Sequence, residues 1–137
     1  GDNRMKNIEA VGKIVWLMGQ SDLHCSWTVD DIHRLVLPPI ALQQFRIWEV
    51  ESQPVGFMTW GFFTDEVEQG YLTGERKIQP DDWQEGDQAY VVDFVAPNGG
   101  VREMVREGRD YLGNQYGPKV IFKGWRKQKG KSWSAST

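Results

Sequence analysis

The run Asp87-Gln-Ala-Tyr-Val-Val-Asp93-Phe-Val-Ala-Pro97-Asn-Gly-Gly100-Val-Arg-Glu-Met-Val-Arg106 reads as a strand, a tight turn and the start of a helix. From Ala89 to Ala96 it is almost continuously apolar and rich in β-branched residues, the pattern of a strand covered on both faces. One carboxylate, Asp93, interrupts it. An acid in a buried strand is costly unless it is hydrogen-bonded or paired, so the sequence predicts a donor opposite Asp93. Pro97, Asn98, Gly99 and Gly100 stop the strand, and the apolar residues Val101, Met104, Val105 and Leu112 give the following helix one buried stripe. The Gly-Gly pair therefore falls at a helix N-terminus, where free backbone N–H groups favour an anion or a developing oxyanion.

Outward from this run, Ile8 to Gln20 has helical spacing, and Thr28 to Leu37 reads as a second, short helix with Asp30 and Asp31 in its first turn. Pro38-Pro39 is expected to end it. Ala41 to Glu51 and Val55 to Phe63 read as strands joined at Ser52-Gln53-Pro54, an antiparallel hairpin. Thr64 to Gly74 reads as a short helix turning Val67, Tyr71 and Leu72 inward, Gln79 to Gly86 as a polar loop around Trp83, and Lys119 to Trp125 as a last strand. The order implies an α/β (α+β) sandwich, helices packed on a largely antiparallel sheet.

With 137 residues, 39% hydrophobic content and seven Trp, the chain is expected to form one domain spanning 1–137. The single cysteine, Cys25, excludes an internal disulfide, and no apolar run approaches the roughly 20 residues of a transmembrane segment. Gly1 to Arg4 read as a remnant ahead of Met5, and with no signal peptide the expected location is cytoplasmic. The net charge of −3 hides an asymmetry: all 19 acidic residues precede Lys119, against 10 basic ones, while Lys119, Lys123, Arg126, Lys127, Lys129 and Lys131 follow with no acid. Residues 126–137 are read as a flexible basic tail suited to an acidic partner. Nucleic acid is not expected, because the rest of the chain would repel phosphate.

Two histidines are present, His24 and His33. His24 lies in the break between the first two helices, where a side chain can face a cleft, whereas His33 falls inside the second helix. A loop imidazole needing an orienter and a strand carboxylate needing a donor make a sensible pair: the acid fixes the tautomer and stabilises the protonated ring. Cys25 beside His24, and Ser21 three residues before it, are weaker candidates for a nucleophile; Ser21 could equally cap a helix. No metal-ligand spacing is seen. Trp16, Trp27, Trp60 and Trp83 could line an apolar groove, although large aromatics serve the core first.

Trp16, Ser21, Leu23-His24, Trp27, Leu37-Pro38, Pro54-Val55, Trp60, Tyr71-Leu72, Asp82-Trp83, Gly86-Asp87, Asp93 and Ala96-Pro97 followed by Gly99 resemble, in order and spacing, the hemolysin-activating lysine acyltransferases that activate RTX toxins. The likeness covers roughly Gly12 to Gly100. It implies a Gcn5-related N-acetyltransferase-like fold, acyl carrier protein as donor through a phosphopantetheine thioester, an RTX protoxin as acceptor at internal lysines, and His24 and Asp93 as the catalytic pair. It leaves room for a homodimer. A family asparagine falls at about Leu35 here, and the match is weakest after Gly100. The pyrophosphate loop of ordinary Gcn5-related enzymes is missing, which argues against coenzyme A; Asn98, Gly99 and Gly100 could still bind part of the phosphopantetheine arm. The competing readings are a non-catalytic binding module on the same scaffold and an acyl-CoA-dependent N-acetyltransferase.

Overall fold

The computed structural model describes residues 2–128 and 131–135, with side chains for 3–124. Helix α1 (Asp2–Met18) leads through a loop to α2 (Val29–Leu35) and α3 (Leu37–Ala41); β1 (Phe45–Val50) and β2 (Gln53–Phe63) follow. Then come α4 (Asp65–Thr73), a single 3-10 turn (Pro80–Asp82), β3 (Gln88–Val95), α5 (Val101–Tyr116), β4 (Phe122–Gln128) and β5 (Lys131–Ala135). The sheet runs in the order β1-β2-β3-β4-β5. Every neighbouring pair is antiparallel except β3 and β4, which α5 connects in parallel. This is the mixed, largely antiparallel α/β sandwich expected.

Both faces of the sheet are covered, which is why β3 could read as an apolar run. Under α5, Met104 and Leu112 pack on Trp48, Met58, Trp60, Ala89, Val91 and Phe122. On the other face, Ala10, Ile14, Leu17 and Met18 of α1 meet Val36, Ile40, Phe57 and Val95. Beside them Leu35, Phe63, Val67, Ile78, Trp83, Tyr90 and Val92 form a third cluster beneath α2 and α4.

Several boundaries move for local reasons. Helix α1 starts at Asp2, so residues 2–4 continue it. Pro38 and Pro39 do close off α2, but they also open α3, because the first turn of a helix has no partner for its N–H groups. Ala41 therefore belongs to a helix, and β1 begins only at Phe45. The hairpin closes on Glu51 and Ser52, with φ of 50° and 66°, so Gln53 and Pro54 already belong to β2. Two left-handed residues match the twist of the flanking strands. In α4 Val67 turns inward as expected, whereas Leu72 remains 49% exposed. The last predicted strand begins at Phe122 rather than Lys119, and a fifth strand follows it. Of the basic tail, the side chains of Arg126, Lys127, Lys129 and Lys131 lie outside the described residues.

One irregularity positions the site. Strands β2 and β3 pair Thr59 with Asp93 and Trp60 with Val91, so Val92 is the extra residue of a bulge. In a regular strand Asp93 would share a face with Ala89 and Val91, toward α5. With the bulge, Asp93 joins the face of Tyr90 and Val92, toward α1 and α2, and Phe94 returns to the α5 side.

Candidate active site

Between α1 and α2 the chain winds through consecutive tight turns. The amide of Ser21 donates to the Met18 carbonyl (3.1 Å), those of His24 and Cys25 to the Ser21 carbonyl (3.0 and 2.8 Å), and that of Trp27 to the His24 carbonyl (3.1 Å). This winding puts Ser21 and His24, three residues apart, on one side of the loop. Thr28 then caps α2: its hydroxyl accepts from the Asp31 amide while the Asp31 carboxylate accepts from the Thr28 amide. Those contacts hold the Asp31 carboxyl below its ordinary pKa, the Thr28 amide contributing most.

His24 Nε2 lies 2.8 Å from Asp93 Oδ1, and His24 Nδ1 lies 2.8 Å from Ser21 Oγ. A carboxylate can only accept, so Nε2 carries the proton toward Asp93. Nδ1 is then the acceptor for the Ser21 hydroxyl. Trp27 lies against the imidazole, ring centroids 4.7 Å apart and tilted by 47°. His24 and Asp93 are 4% and 3% exposed, so the ring is buried rather than facing an open cleft, because it fills the space between the α1–α2 loop and the bulged strand. Ser21 is half-buried, and it is the end of the hydrogen-bonded line that reaches toward solvent. Ser21 Oγ, His24 and Asp93 form a relay in which a proton arriving at the serine can be taken up by the ring and the resulting charge balanced by the acid.

The other sequence candidates separate clearly. Cys25 is exposed, its Sγ directed to the Asp22 carbonyl at 3.7 Å. His33 is exposed on α2. Asn98, Gly99 and Gly100 form the β3–α5 turn, Gly99 and Gly100 with φ of 104° and 77°, where a side chain would be strained. Gly100 is the N-cap of α5 and no side chain caps the helix there. The Asn98 amide donates to Gln20 Oε1 at 3.1 Å, which sets this turn beside the residue preceding Ser21. Trp60 and Trp83 are fully buried and Trp16 is half exposed on α1. Trp27 lines a cleft of about 330 Å3 together with Leu35, Tyr71, Arg76 and Ile78. Leu35 is packed in the apolar cluster beneath α2 and α4. Among the described residues no group of three His, Cys, Asp or Glu could hold a metal ion, and no helix is long and apolar enough to cross a membrane.

Comparison with known sequences places the chain in a family. The family described as HlyC, RTX toxin acyltransferase family, matches residues 3–134. The lysine-acyltransferase RtxC of Vibrio cholerae is 31% identical over 122 residues, covering 88% of this chain and 74% of that protein. An uncharacterised protein of Synechocystis is 32% identical over 124 residues, covering 89% of this chain and 82% of its own length. The protein-lysine myristoyltransferase RtxC of Kingella kingae is 30% identical over 95 residues, 69% of this chain and 57% of that protein.

Proposed function

The chain belongs to the RTX toxin acyltransferase family, and from that premise we propose that it moves a fatty acyl group from the thioester of acyl carrier protein to lysine side chains of an RTX protoxin, with His24 as the base. Lysine must be neutral to attack a thioester, and an ordinary pKa near 10.4 leaves about one side chain in 2,500 neutral at pH 7. As the lysine nitrogen bonds to the acyl carbon, its proton passes to Ser21 Oγ while the serine proton moves to His24 Nδ1. Asp93 accepts from Nε2 and balances the imidazolium. When the C–S bond breaks, the proton returns along the same line to the departing thiolate.

The observation that carries this reading is the line Ser21–His24–Asp93, with both contacts at 2.8 Å and the half-buried Ser21 at its outer end. Direct acylation of the ring is disfavoured by the same line, because Nδ1 is already occupied by the serine and Nε2 by the acid. The uncapped N-terminus of α5, with Asn98 and the two glycines, lies beside Gln20 and offers backbone N–H groups to an oxyanion or to the phosphate of the phosphopantetheine arm. Trp27 joins the ring to the neighbouring cleft, where Leu35, Tyr71 and Ile78 offer an acyl chain an apolar strip beside the charged Asp31, Arg34, Arg76 and Lys77.

Co-expression with a protoxin fragment, followed by mass spectrometry, tests the function: acylated lysines are expected, and unmodified ones would refute it. In the purified system acyl-acyl carrier protein should serve as donor and acyl-CoA should not. Ser21→Ala should slow transfer by about tenfold, less than loss of His24, because a water can take the hydroxyl's place at the solvent end of the line. Cys25→Ala should leave the rate unchanged. Loss of activity in the cysteine variant would move the chemistry to the thiol.

A further inference from the structure

Thr59 is 1% exposed, and its hydroxyl has no hydrogen-bond partner among the described residues. A buried hydroxyl left in that state is destabilising, and native cores seldom keep one without a use for it. Its location suggests the use. Along β2 the side chains alternate: Met58 and Trp60 pack toward α5, and Phe57 packs toward α1. Thr59 therefore lies on the Phe57 face, the side on which Asp93 meets His24. It is also the direct cross-strand partner of Asp93, at the last regular pair before the bulge. Side chains so paired have Cβ atoms about 4.5–5.5 Å apart. A threonine hydroxyl at that separation reaches the neighbouring carboxylate by turning about χ1.

We propose that Thr59 is a positioning residue for Asp93, its hydroxyl donating to the carboxylate when His24 takes up a proton. This rests on the acyl-transfer reading of the His24–Asp93 pair. A carboxylate offers about four acceptor sites, and His24 Nε2 uses one of them. A further donor, from β2, holds the plane of the carboxylate. Fixing that plane aims the ring, and with it Nδ1, at Ser21. The hydroxyl cannot reach substrate itself, being walled in by the sheet, so its effect is on the rate of the chemical step and not on substrate binding.

The test is Thr59→Val, which keeps the branched shape and removes the donor. The expected result is a kcat lowered by about tenfold with KM unchanged, a melting temperature at or above that of the parent chain, and recovery of kcat in Thr59→Ser. A purely structural hydroxyl predicts the same or higher stability with no change in kcat, and that result overturns the proposal. Should the valine variant fail to fold, Thr59→Ser and Thr59→Ala make the comparison: equal kcat values in the two overturn it. A readout that needs no turnover separates this from failure of the functional reading. The chain has two histidines, so the His24 Nε2–H resonance is assignable by NMR. Recorded in acid, with both ring nitrogens protonated, it should shift in Thr59→Val and not in Thr59→Ser. An unmoved resonance rejects the role of Thr59, whereas a parent chain that transfers no acyl group rejects the function alone.

Discussion

Glutamine in place of His24 is expected to lower acyl transfer by about a hundred- to ten-thousandfold, with the fold intact. Glutamine has an amide that can still face Asp93, but no atom that takes up a proton near neutral pH. Asparagine in place of Asp93 should fall in the same range for another reason. Its uncharged amide cannot balance an imidazolium, and where its NH2 end faces the ring Nε2 must give up its proton and Nδ1 must carry one. The ring then presents a donor to Ser21 where the relay needs an acceptor. Because both changes break one proton line, the double variant should be no slower than the worse single one. Steady-state rates on a protoxin fragment, measured for the parent and all three variants, check this. Losses that multiply would mean that His24 and Asp93 act separately, although they are only 2.8 Å apart. A near-parental rate in either single variant would remove the pair from the chemistry.

The sequence made the ingredients of this pair legible, and left their arrangement hidden. An acid within an apolar, β-branched strand demands a donor on physical grounds alone, and the loop histidine was a chemically suitable one. The element order and the coverage of both sheet faces likewise follow from periodicity. What periodicity could not supply is the face on which Asp93 lies. A period of two puts it with Ala89 and Val91 under α5, and only the bulge at Val92 turns it toward His24. No residue type marks that bulge, since Val91 and Val92 are both ordinary strand residues. The burial of the ring was hidden for a related reason: polar neighbours such as Asp22 and Ser26 suggest an open loop, yet the turns around Ser21 fold the imidazole inward. The i,i+3 spacing of Ser21 and His24 was a usable signal, ambiguous because a serine there could also have capped a helix. Thr59 carried no signal, because its meaning comes from strand register with a residue far along the chain. Pro38-Pro39 misled about Ala41 for a simpler cause, that a proline pair both stops one helix and suits the first turn of the next.

The largest effect on stability is expected at Trp83, in a loop whose polar composition gives little hint of it. Its side chain is fully buried, stacked at a tilt on Phe63 with ring centroids 5.4 Å apart. Its indole N–H donates to the Arg34 carbonyl in the last turn of α2 at 3.0 Å, and its own carbonyl accepts from the Phe62 amide at 2.9 Å. The residue thus ties the loop to both α2 and β2. Trp83→Ala should cost about 3–5 kcal/mol through the cavity it leaves, a large share of the roughly 5–15 kcal/mol that holds a domain folded. Trp83→Phe keeps most of the ring and loses the N–H, leaving the Arg34 carbonyl without that donor, and should cost about 1–3 kcal/mol. Urea midpoints of the two variants separate packing from hydrogen bonding, and an alanine variant as stable as the parent would mean the loop is not part of the core. The consequence for the site differs in kind from that of His24. Helix α2 begins at Val29, two residues after Trp27, the ring that lies against the imidazole. Loosening α2 therefore lowers activity through the fraction of chains that are folded. That loss should be recovered by an osmolyte that favours the compact state, while the loss in His24→Gln should not.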